Sequence, residues 1–412
     1  MREKIASMPC RKCLISLDEA RQTIERLEPL NSESVAIAAG VGRITARDAV
    51  AVSACPSSDS SLKDGFAVVS SDIAGATKEQ AVRLTIDGTV TAGEGNCELV
   101  VRPGRTVRIM TGAVLPPGAD AVLSSEFARV EGKHVYVFRD AHTGRNVLQK
   151  GRDVEKGRVI IAPSTRLRAT HIGLLAAAGV DRVVVFRKPA IVIVATGSEL
   201  VIPGQPIGPG KVAASNAVTL QATLKDHGLD ADTVIIHDDL DNLKDQMEPL
   251  LNQYDVMLTC GGVLDGDKDL TMQSMDLLQV ESIFRRVRVG PGKGICCGRR
   301  KNTLIFNLPG GPPSNHIAFL LLAFPAIRRL CGHTRQFERF YSARLTRPLN
   351  GQLGWTEIIY ATLNRVGPGL QVTPLSTTSR LQAMARADCL IELPENQDHG
   401  VDGESVRIWK IK

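Results

Sequence analysis

Three aspartates at alternate positions offer the most suggestive chemistry in this sequence of 412 residues: Asp265, Asp267 and Asp269. They follow an apolar run, residues 255–260, that has the length and β-branched content of a buried strand. The run ends at Gly261-Gly262, where the backbone can turn sharply or approach a ligand closely because neither residue has a Cβ. A helix is predicted directly afterwards, over residues 270–279.

The order of strand, glycine pair, acids and helix is typical of the carboxyl edge of a parallel sheet, where open α/β folds bind their ligands. Amide groups at the start of a helix favour anions, so three carboxylates there require protons, a cation or distance from any phosphate. The pattern therefore predicts a site for a phosphorylated ligand together with Mg2+.

A further candidate contact is Lys293, which lies in a glycine-rich turn after a strand predicted over residues 284–289. A lone lysine usually belongs to the solvated surface. A lysine in a glycine turn beside an acid-rich sheet edge favours a phosphate contact instead, because its compact charge can reach the anion.

The elements that must position these residues alternate between strands and helices from about residue 186 onward. Strands are predicted over residues 189–196, 232–237, 255–260 and 303–308. Helices are predicted over residues 215–227, 270–279, 316–330 and from Leu240 to a limit set by Pro249. Such alternation indicates a parallel, doubly wound sheet. Each strand ends in glycine, proline or acid, and Glu199 and Asp238 follow two of them, so polar residues converge on one edge.

The regions on either side have a different character. Residues 51–140 are rich in short β segments and include a hairpin predicted over residues 127–138. The sequence after Gly332 is typical of a small all-β domain. Near the start of the chain, the capping box of Ser16 and Glu19 predicts a helix that runs to about Glu28.

Composition excludes some classes of function. The net charge of +6 is small for this length and aromatic residues make up 4%, which argues against nucleic-acid binding. No stretch reaches about 18 uninterrupted apolar residues, so we expect no membrane span. Nine scattered cysteines suit a reducing cytoplasm better than a disulfide framework.

Two other interpretations of the acid-rich loop and one other class of binding fold have weaker support. A calcium loop is rejected because Leu270 stands where the turn requires glycine and Asp276 where a bidentate glutamate belongs. An aspartyl phosphatase of the haloacid dehalogenase type remains a minor alternative, since a glycine loop separates its D-x-D-x-T pattern from the strand. No phosphate-binding or dinucleotide-binding glycine motif stands between a strand and a helix.

Taken together, the loops resemble those of the molybdopterin molybdenumtransferase family, to which bacterial MoeA proteins and the gephyrin E domain belong. The resemblance runs from about Ser16 to the C-terminus and keeps the order of the family's signatures. These are DGFA (64–67), RIMTGAVLPPGADAV (108–122), GRDV (151–154), PAIVIVATGSEL (189–200), SN (215–216), GGVLDGDKD (261–269), PGKG (291–294) and LPGGPPS (308–314).

The resemblance implies a multidomain α/β plus β fold. Its parts are an elongated N-terminal domain (1–50 and 141–185), an inserted β-rich domain (51–140), a three-layer molybdopterin-binding α/β domain (186–332) and a C-terminal β-barrel-like domain (333–412). It also implies a homodimer whose cleft lies between the α/β domain of one subunit and the β domains of its partner. The reaction implied joins adenylylated molybdopterin and molybdate, with Mg2+, to give molybdenum cofactor and AMP. A molybdopterin adenylyltransferase is a possible partner.

Matching motif positions carry the family's site residues over to this chain. The catalytic positions are Asp64, Thr111, Asp153, Glu199, Asp238, Asp269 and Lys293. The two metal ligands among them are Glu199 and Asp269. The pterin-binding positions are Gly261, Gly262, Lys293, Pro309, Pro312 and Ser379.

Several positions depart from the family's pattern. Leu264 replaces a serine and Ser198 replaces the first acid of the TGDE motif. The first lysine of KPGKP is Gly290, and the asparagine of LPGNP is Gly311; other departures are Lys63 and Gly294. The acids favour an enzyme, whereas the lost contacts favour an alternative, a divergent paralogue that binds a pterin, nucleotide or protein partner without turnover.

Overall fold

The computed structural model describes residues 14–93, 98–261, 270–334, 340–375 and 380–411. The chain divides into two compact units. One consists of residues 33–185, and the other combines residues 1–32 with residues 186–412. Within the described residues, no helix has both the length and the apolar character needed to cross a membrane.

A six-stranded sheet forms the centre of the larger unit. Its strands lie in the spatial order Asp232–Ile236, Ile191–Thr196, Val256–Cys260, Thr303–Leu308, Cys296–Arg300 and Glu281–Arg285. The first four strands are parallel, as the sequence pattern predicts. Cys296–Arg300 is antiparallel to both of its neighbours, and the sequence pattern did not reveal this strand.

Helices cover both faces of this sheet, which confirms the doubly wound arrangement. They are Ser215–Asp226, Leu240–Gln253, Leu270–Leu277, Pro312–Ala318 and Phe324–Leu330, with a π-helical turn, Phe319–Ala323, joining the last two. Ile191 and Ile193 pack on one face with Leu220, whereas the alternate residues Val192 and Val194 pack on the other face. This two-sided burial explains why the strands are almost continuously apolar.

Several predicted boundaries are wrong, and two of them have a clear physical reason. Pro249 lies inside the helix Leu240–Gln253 and does not limit it. Proline costs one backbone hydrogen bond, but burial of Met247 and Leu251 on the core side maintains the last turn. The strand predicted over residues 284–289 is broken by Arg286, whose φ is 62°, so that Val289–Gly290 pairs with a different sheet.

That second sheet is the C-terminal barrel. Its five strands close in the order Thr356–Val366, Gly369–Pro374, Phe340–Leu345, Ser405–Lys410 and Cys389–Leu393, and the last pairs again with the first. The strand Val289–Gly290 pairs in parallel with the first two residues of Thr356–Val366. A helix, Arg380–Arg386, and a short pairing of Leu349–Asn350 with His399–Gly400 complete the domain.

The first helix, Leu17–Glu25, starts at the predicted capping box but ends one turn before Glu28. Arg21 on this helix bonds to the buried Glu392 of the barrel at 2.9 Å. The N-terminal helix is therefore part of the larger unit.

The smaller unit contains another six-stranded sheet. Its strands lie in the order Ala121–Ser124, Gly65–Val68, Arg105–Ile109, Val82–Val90, His134–Val137 and Ala128–Glu131. The last two strands form the predicted hairpin. The unit also holds the helix Ala169–Ala177 and short pairings that include Ala49–Val50 with Val159–Ile161 and Ser60–Ser61 with Val147–Leu148.

Candidate functional site

The carboxyl edge of the parallel strands carries a pocket of about 410 Å³. Its polar lining includes Thr196 and Glu199 after one strand and Ser215 and Asn216 at the start of a helix. Much of the remaining wall is small and apolar, formed by alanines together with Leu200, Val212, Cys260, Pro312 and Leu381. A mainly apolar pocket with a few polar groups suits a ring system that bears a polar substituent.

Glycines allow the strand ends to approach one another at this edge. Gly261 has a φ of 122°, and a methyl group on it would lie 2.7 Å from the carbonyl oxygen of Thr196. A side chain is therefore excluded at this predicted pterin-binding position. Gly310, on another loop, is less crowded. A methyl group on it would lie 3.6 Å from the Gly261 Cα, which is an ordinary van der Waals distance.

Glu199 and Asp238 lie on neighbouring loops of the edge. The Glu199 carboxylate lies over Gly197, with both oxygens 2.7 Å from where a Cβ would stand. Ser198 joins the two loops, because its N–H donates to Asp238 Oδ2 at 3.4 Å and its Oγ accepts from the Asp238 N–H at 3.2 Å. The serine that replaces the family's acid thus connects the two loops on which the candidate acids stand.

Lys211 is a residue of this edge that sequence reasoning missed. Its Nζ donates to the Ser198 carbonyl oxygen at 2.6 Å, which places a positive charge in the loop between the two acids. A signal was present in the sequence, since Lys211 follows Gly208-Pro209-Gly210 as Lys293 follows Pro291-Gly292.

Asn216 ties the pocket together from the other side. Its side-chain amide donates to the Gly310 carbonyl oxygen at 2.8 Å. The predicted position Pro309 is held in a similar way, because the Asn315 amide donates to its carbonyl oxygen at 3.0 Å. Pro312 begins the helix Pro312–Ala318 and lines the pocket directly.

The turn that carries Lys293 lies next to that helix. A side chain on Gly292, whose φ is 125°, would lie 3.5 Å from the Ser314 carbonyl oxygen and 3.7 Å from the Ala318 Cβ. Lys293 itself is exposed. The turn is thus held against a helix that lines the pocket, while its lysine remains accessible.

Three predicted site residues lie outside the described residues: Gly262, Asp269 and Ser379. So do Asp265, Asp267 and Leu264. Leu381, two residues after Ser379, lies on the helix Arg380–Arg386 and lines the pocket, although nothing in its sequence context suggested this.

In the smaller unit, the structure brings Asp64 and Thr111 together. The Thr111 N–H and hydroxyl both donate to Asp64 Oδ1, at 2.7 and 2.8 Å. The backbone N–H of Thr111, followed by its hydroxyl, lowers the pKa of the Asp64 carboxyl. Asp64 is therefore an oriented carboxylate, and its Oδ2 oxygen is left to accept from a ligand.

The other predicted residue of this unit, Asp153, lies in an exposed turn. Its backbone N–H donates to the Cys55 carbonyl oxygen at 3.1 Å, and that of Gly151 donates to the Pro56 carbonyl oxygen at 2.9 Å. The turn is therefore positioned through its backbone, while its carboxylate faces solvent.

The described residues contain no group of three or more His, Cys, Asp or Glu side chains close enough to hold a metal by themselves. Mg2+ does not require such a cage, since it keeps several waters and is usually bound through one or two carboxylates and substrate phosphates. The oxygen donors of Glu199 and Asp238, on adjoining loops, fit that chemistry.

The fold and site define a multidomain protein whose central α/β domain presents a ligand pocket at its carboxyl edge. Comparison with protein families gives three matches along the chain. They are the MoeA N-terminal region (domain I and II) over residues 15–179, a probable molybdopterin binding domain over residues 192–329, and the MoeA C-terminal region (domain IV) over residues 342–411.

Whole-chain relatives agree. The molybdopterin molybdenumtransferase of Bacillus subtilis (strain 168) is 31% identical over 409 residues, 97% of this chain and 94% of the relative. That of Staphylococcus epidermidis (strain ATCC 12228 / FDA PCI 1200) is 28% identical over 385 residues, 92% of this chain and 91% of the relative. A crystal structure of the molybdopterin biosynthesis MoeA protein from Pyrococcus horikosii has a TM-score of 0.84 and 30% identity, covering 97% of this chain and 99% of that one. The chain belongs to the molybdopterin molybdenumtransferase (MoeA) family, which confirms the resemblance drawn from its motifs.

Proposed function

We propose that this chain is a cytoplasmic molybdopterin molybdenumtransferase, which converts adenylylated molybdopterin and molybdate into molybdenum cofactor and AMP. The observation that carries the proposal is the pocket at the carboxyl edge, with Glu199 and Asp238 on its loops, in a chain that belongs to this family. A molybdopterin adenylyltransferase would supply the substrate.

In this proposal the pocket binds the pterin, and residues of the pocket and of neighbouring loops hold the cation and the phosphate. Its apolar wall suits the planar pterin, and the start of the helix Ser215–Asp226 favours a negatively charged substituent. Glu199, Asp238 and, by motif, Asp269 would hold Mg2+, which when bound draws charge off the phosphoanhydride. The exposed Lys293 offsets phosphate charge.

Asp64 has a different task in this proposal. Thr111 holds one of its oxygens, so the other presents a lone pair in a defined direction. Such a carboxylate can accept a proton or orient a ligand donor. By analogy with the family, Asp64 and Asp153 would lie in a cleft shared by two subunits, and we therefore propose a homodimer.

Two experiments test the proposal. Purified protein, adenylylated molybdopterin, molybdate and Mg2+ should release AMP in step with formation of molybdenum cofactor, and a protein that bound the substrate without releasing AMP would contradict the proposal. Light scattering at micromolar concentration should give about twice 44.4 kDa. A monomer would remove the shared cleft.

A second candidate is a paralogue of altered ligand specificity, and one contact favours it. Gly290 stands where the family has a lysine, and the space that a side chain there would enter is filled by the Glu357 carboxylate. A motif-complete second copy in the same genome would support this alternative.

A further inference from the structure

Gly290 and Glu357 are directly opposite each other on paired strands. Val289–Gly290 runs parallel to Thr356–Val366, with Gly290 in register with Glu357. A methyl group on Gly290 would lie 2.6 and 2.8 Å from the two carboxylate oxygens of Glu357. In this conformation the glutamate therefore occupies the space that a side chain at position 290 would enter.

Glu357 is a half-buried acid, and its carboxylate lacks a protein partner among the described residues. Its side chain lies between two glycines, since a methyl group on Gly351 would lie 3.4 Å from the Glu357 Cγ. Across the part of the chain that the structure describes, its carboxylate has neither a hydrogen-bond donor nor an ion-pair partner. Burial raises the pKa of the Glu357 carboxyl. Partial removal from water without a partner is unfavourable for a carboxylate.

Another glutamate of the same barrel shows what a purely structural acid looks like here. Glu392 is buried, yet Arg21 donates to one of its oxygens at 2.9 Å and Arg407 lies 3.5 Å from the other. Glu357 therefore differs from Glu392, because no arginine compensates its charge among the described residues.

Glu357 also lies at the base of the turn that carries Lys293. Gly290 begins this turn, and Gly292 contacts the helix whose first residue, Pro312, lines the pocket. The turn thus bears a negative charge at its base and a positive charge at its tip. Gly290 and Lys293 are three residues apart in this turn, so the two charges belong to the same short segment.

We propose that Glu357 is a specificity-determining residue of this site, which lowers the preference of the turn for a ligand bearing a terminal phosphate over the same ligand without it. The inference rests on the proposed function, since it requires a pterin in the pocket and Lys293 at its phosphate. Where the family has a lysine, this chain has Gly290, so no positive charge at that position offsets the Glu357 carboxylate.

The test measures the ratio of two dissociation constants by calorimetry, for molybdopterin and for its dephosphorylated form. Glu357→Gln keeps the shape of the side chain and removes the charge. It should tighten molybdopterin binding about tenfold relative to the dephosphorylated form, because it removes a like charge from the turn that would meet the phosphate. Asp402→Asn, an exposed acid of the same barrel, is the matched control and should leave the ratio unchanged.

The outcomes are distinct. If both pterins bind and Glu357→Gln does not move the ratio, the role of Glu357 is wrong while the proposed function stands. If neither pterin binds the parent protein, the proposed function fails and the role of Glu357 with it.

A second variant guards against misfolding of the first. Gly290→Lys introduces an amine beside the carboxylate, which can rotate aside because it is the far end of a flexible side chain. The lysine neutralises Glu357 without removing it and should shift the ratio in the same direction. No shift in a folded Gly290→Lys protein would overturn the proposal.

Discussion

Asp64 and Glu199 are both exposed acids beside a strand end, but the molecule holds them by different means. Asp64 is fixed through its side chain, because Thr111 donates two hydrogen bonds to one of its oxygens. Glu199 is fixed through its backbone neighbours, since Ser198 bonds to Asp238 and accepts from Lys211. Among the described residues, no donor bonds to the Glu199 carboxylate itself.

The difference suggests how each acid is suited to its task. A carboxylate held at one oxygen presents the other in a set direction, which favours accepting a proton or a ligand donor. A carboxylate on a hydrogen-bonded loop, but without hydrogen bonds of its own among the described residues, can adjust to a cation and its waters. The comparison therefore predicts that Asp64 depends on its neighbour, whereas Glu199 depends on its charge.

The largest effect should come from Glu199→Gln, which keeps the shape of the side chain and removes that charge. We expect turnover to fall by about 10²–10³, the usual cost of losing one contact that stabilises transition-state charge. The rate of AMP release measures it, with Asp245→Asn, an exposed acid on the helix Leu240–Gln253, as control. Unchanged turnover would show that Glu199 has no catalytic part.

Gly65, next to Asp64, and Gly310, in the wall of the pocket that Glu199 lines, should also differ. A methyl group on Gly65 would lie 1.9 Å from the Leu123 carbonyl oxygen, whereas on Gly310 its nearest neighbour is at 3.6 Å. Gly65→Ala should therefore destabilise the smaller unit by about 3 kcal/mol or more. Gly310→Ala should fold normally and weaken pterin binding, because Gly310 lines the pocket. Thermal unfolding and calorimetry separate the two, and equal melting temperatures would refute the distinction.

The unit that holds Glu199 should be sensitive to acid through a buried histidine. His316 lies on the helix that borders the pocket, its Nδ1 is 2.8 Å from the Tyr360 hydroxyl oxygen, and burial lowers its pKa from 6.5 to about 4. Between those values the unfolded chain binds a proton that the folded chain does not, so stability falls as pH falls.

This loss should reach about 2 kcal/mol between pH 7 and pH 5. His316→Gln, which can still bond to Tyr360, should reduce the acid-dependent drop in melting temperature. An identical drop in the variant would show that other groups cause it.

The smallest effect should follow removal of the brace on Asp64. Thr111→Val deletes the hydroxyl but keeps the backbone N–H bond, so we expect about a tenfold lower kcat with little change in KM. Thr111→Ser retains the hydroxyl and should restore most of the rate. A valine variant with full activity would show that the backbone bond alone positions Asp64.

Local patterns in the sequence determined much of this protein. The capping box of Ser16 and Glu19, the hairpin after Ala128 and the apolar strands of the α/β domain depend on neighbours a few residues apart, so periodicity and turn residues revealed them. The order of the motif loops was enough to indicate the family.

Tertiary structure decided the rest, because it concerns residues far apart in the chain whose proximity depends on packing. Only the folded chain places Thr111 on Asp64, Lys211 beside Ser198 and Leu381 at the pocket. Only the folded chain continues a helix through Pro249, where core burial outweighs the lost hydrogen bond. In the same way, a glycine at position 290 looked like a missing contact in the sequence, and packing fills its space with the carboxylate of Glu357.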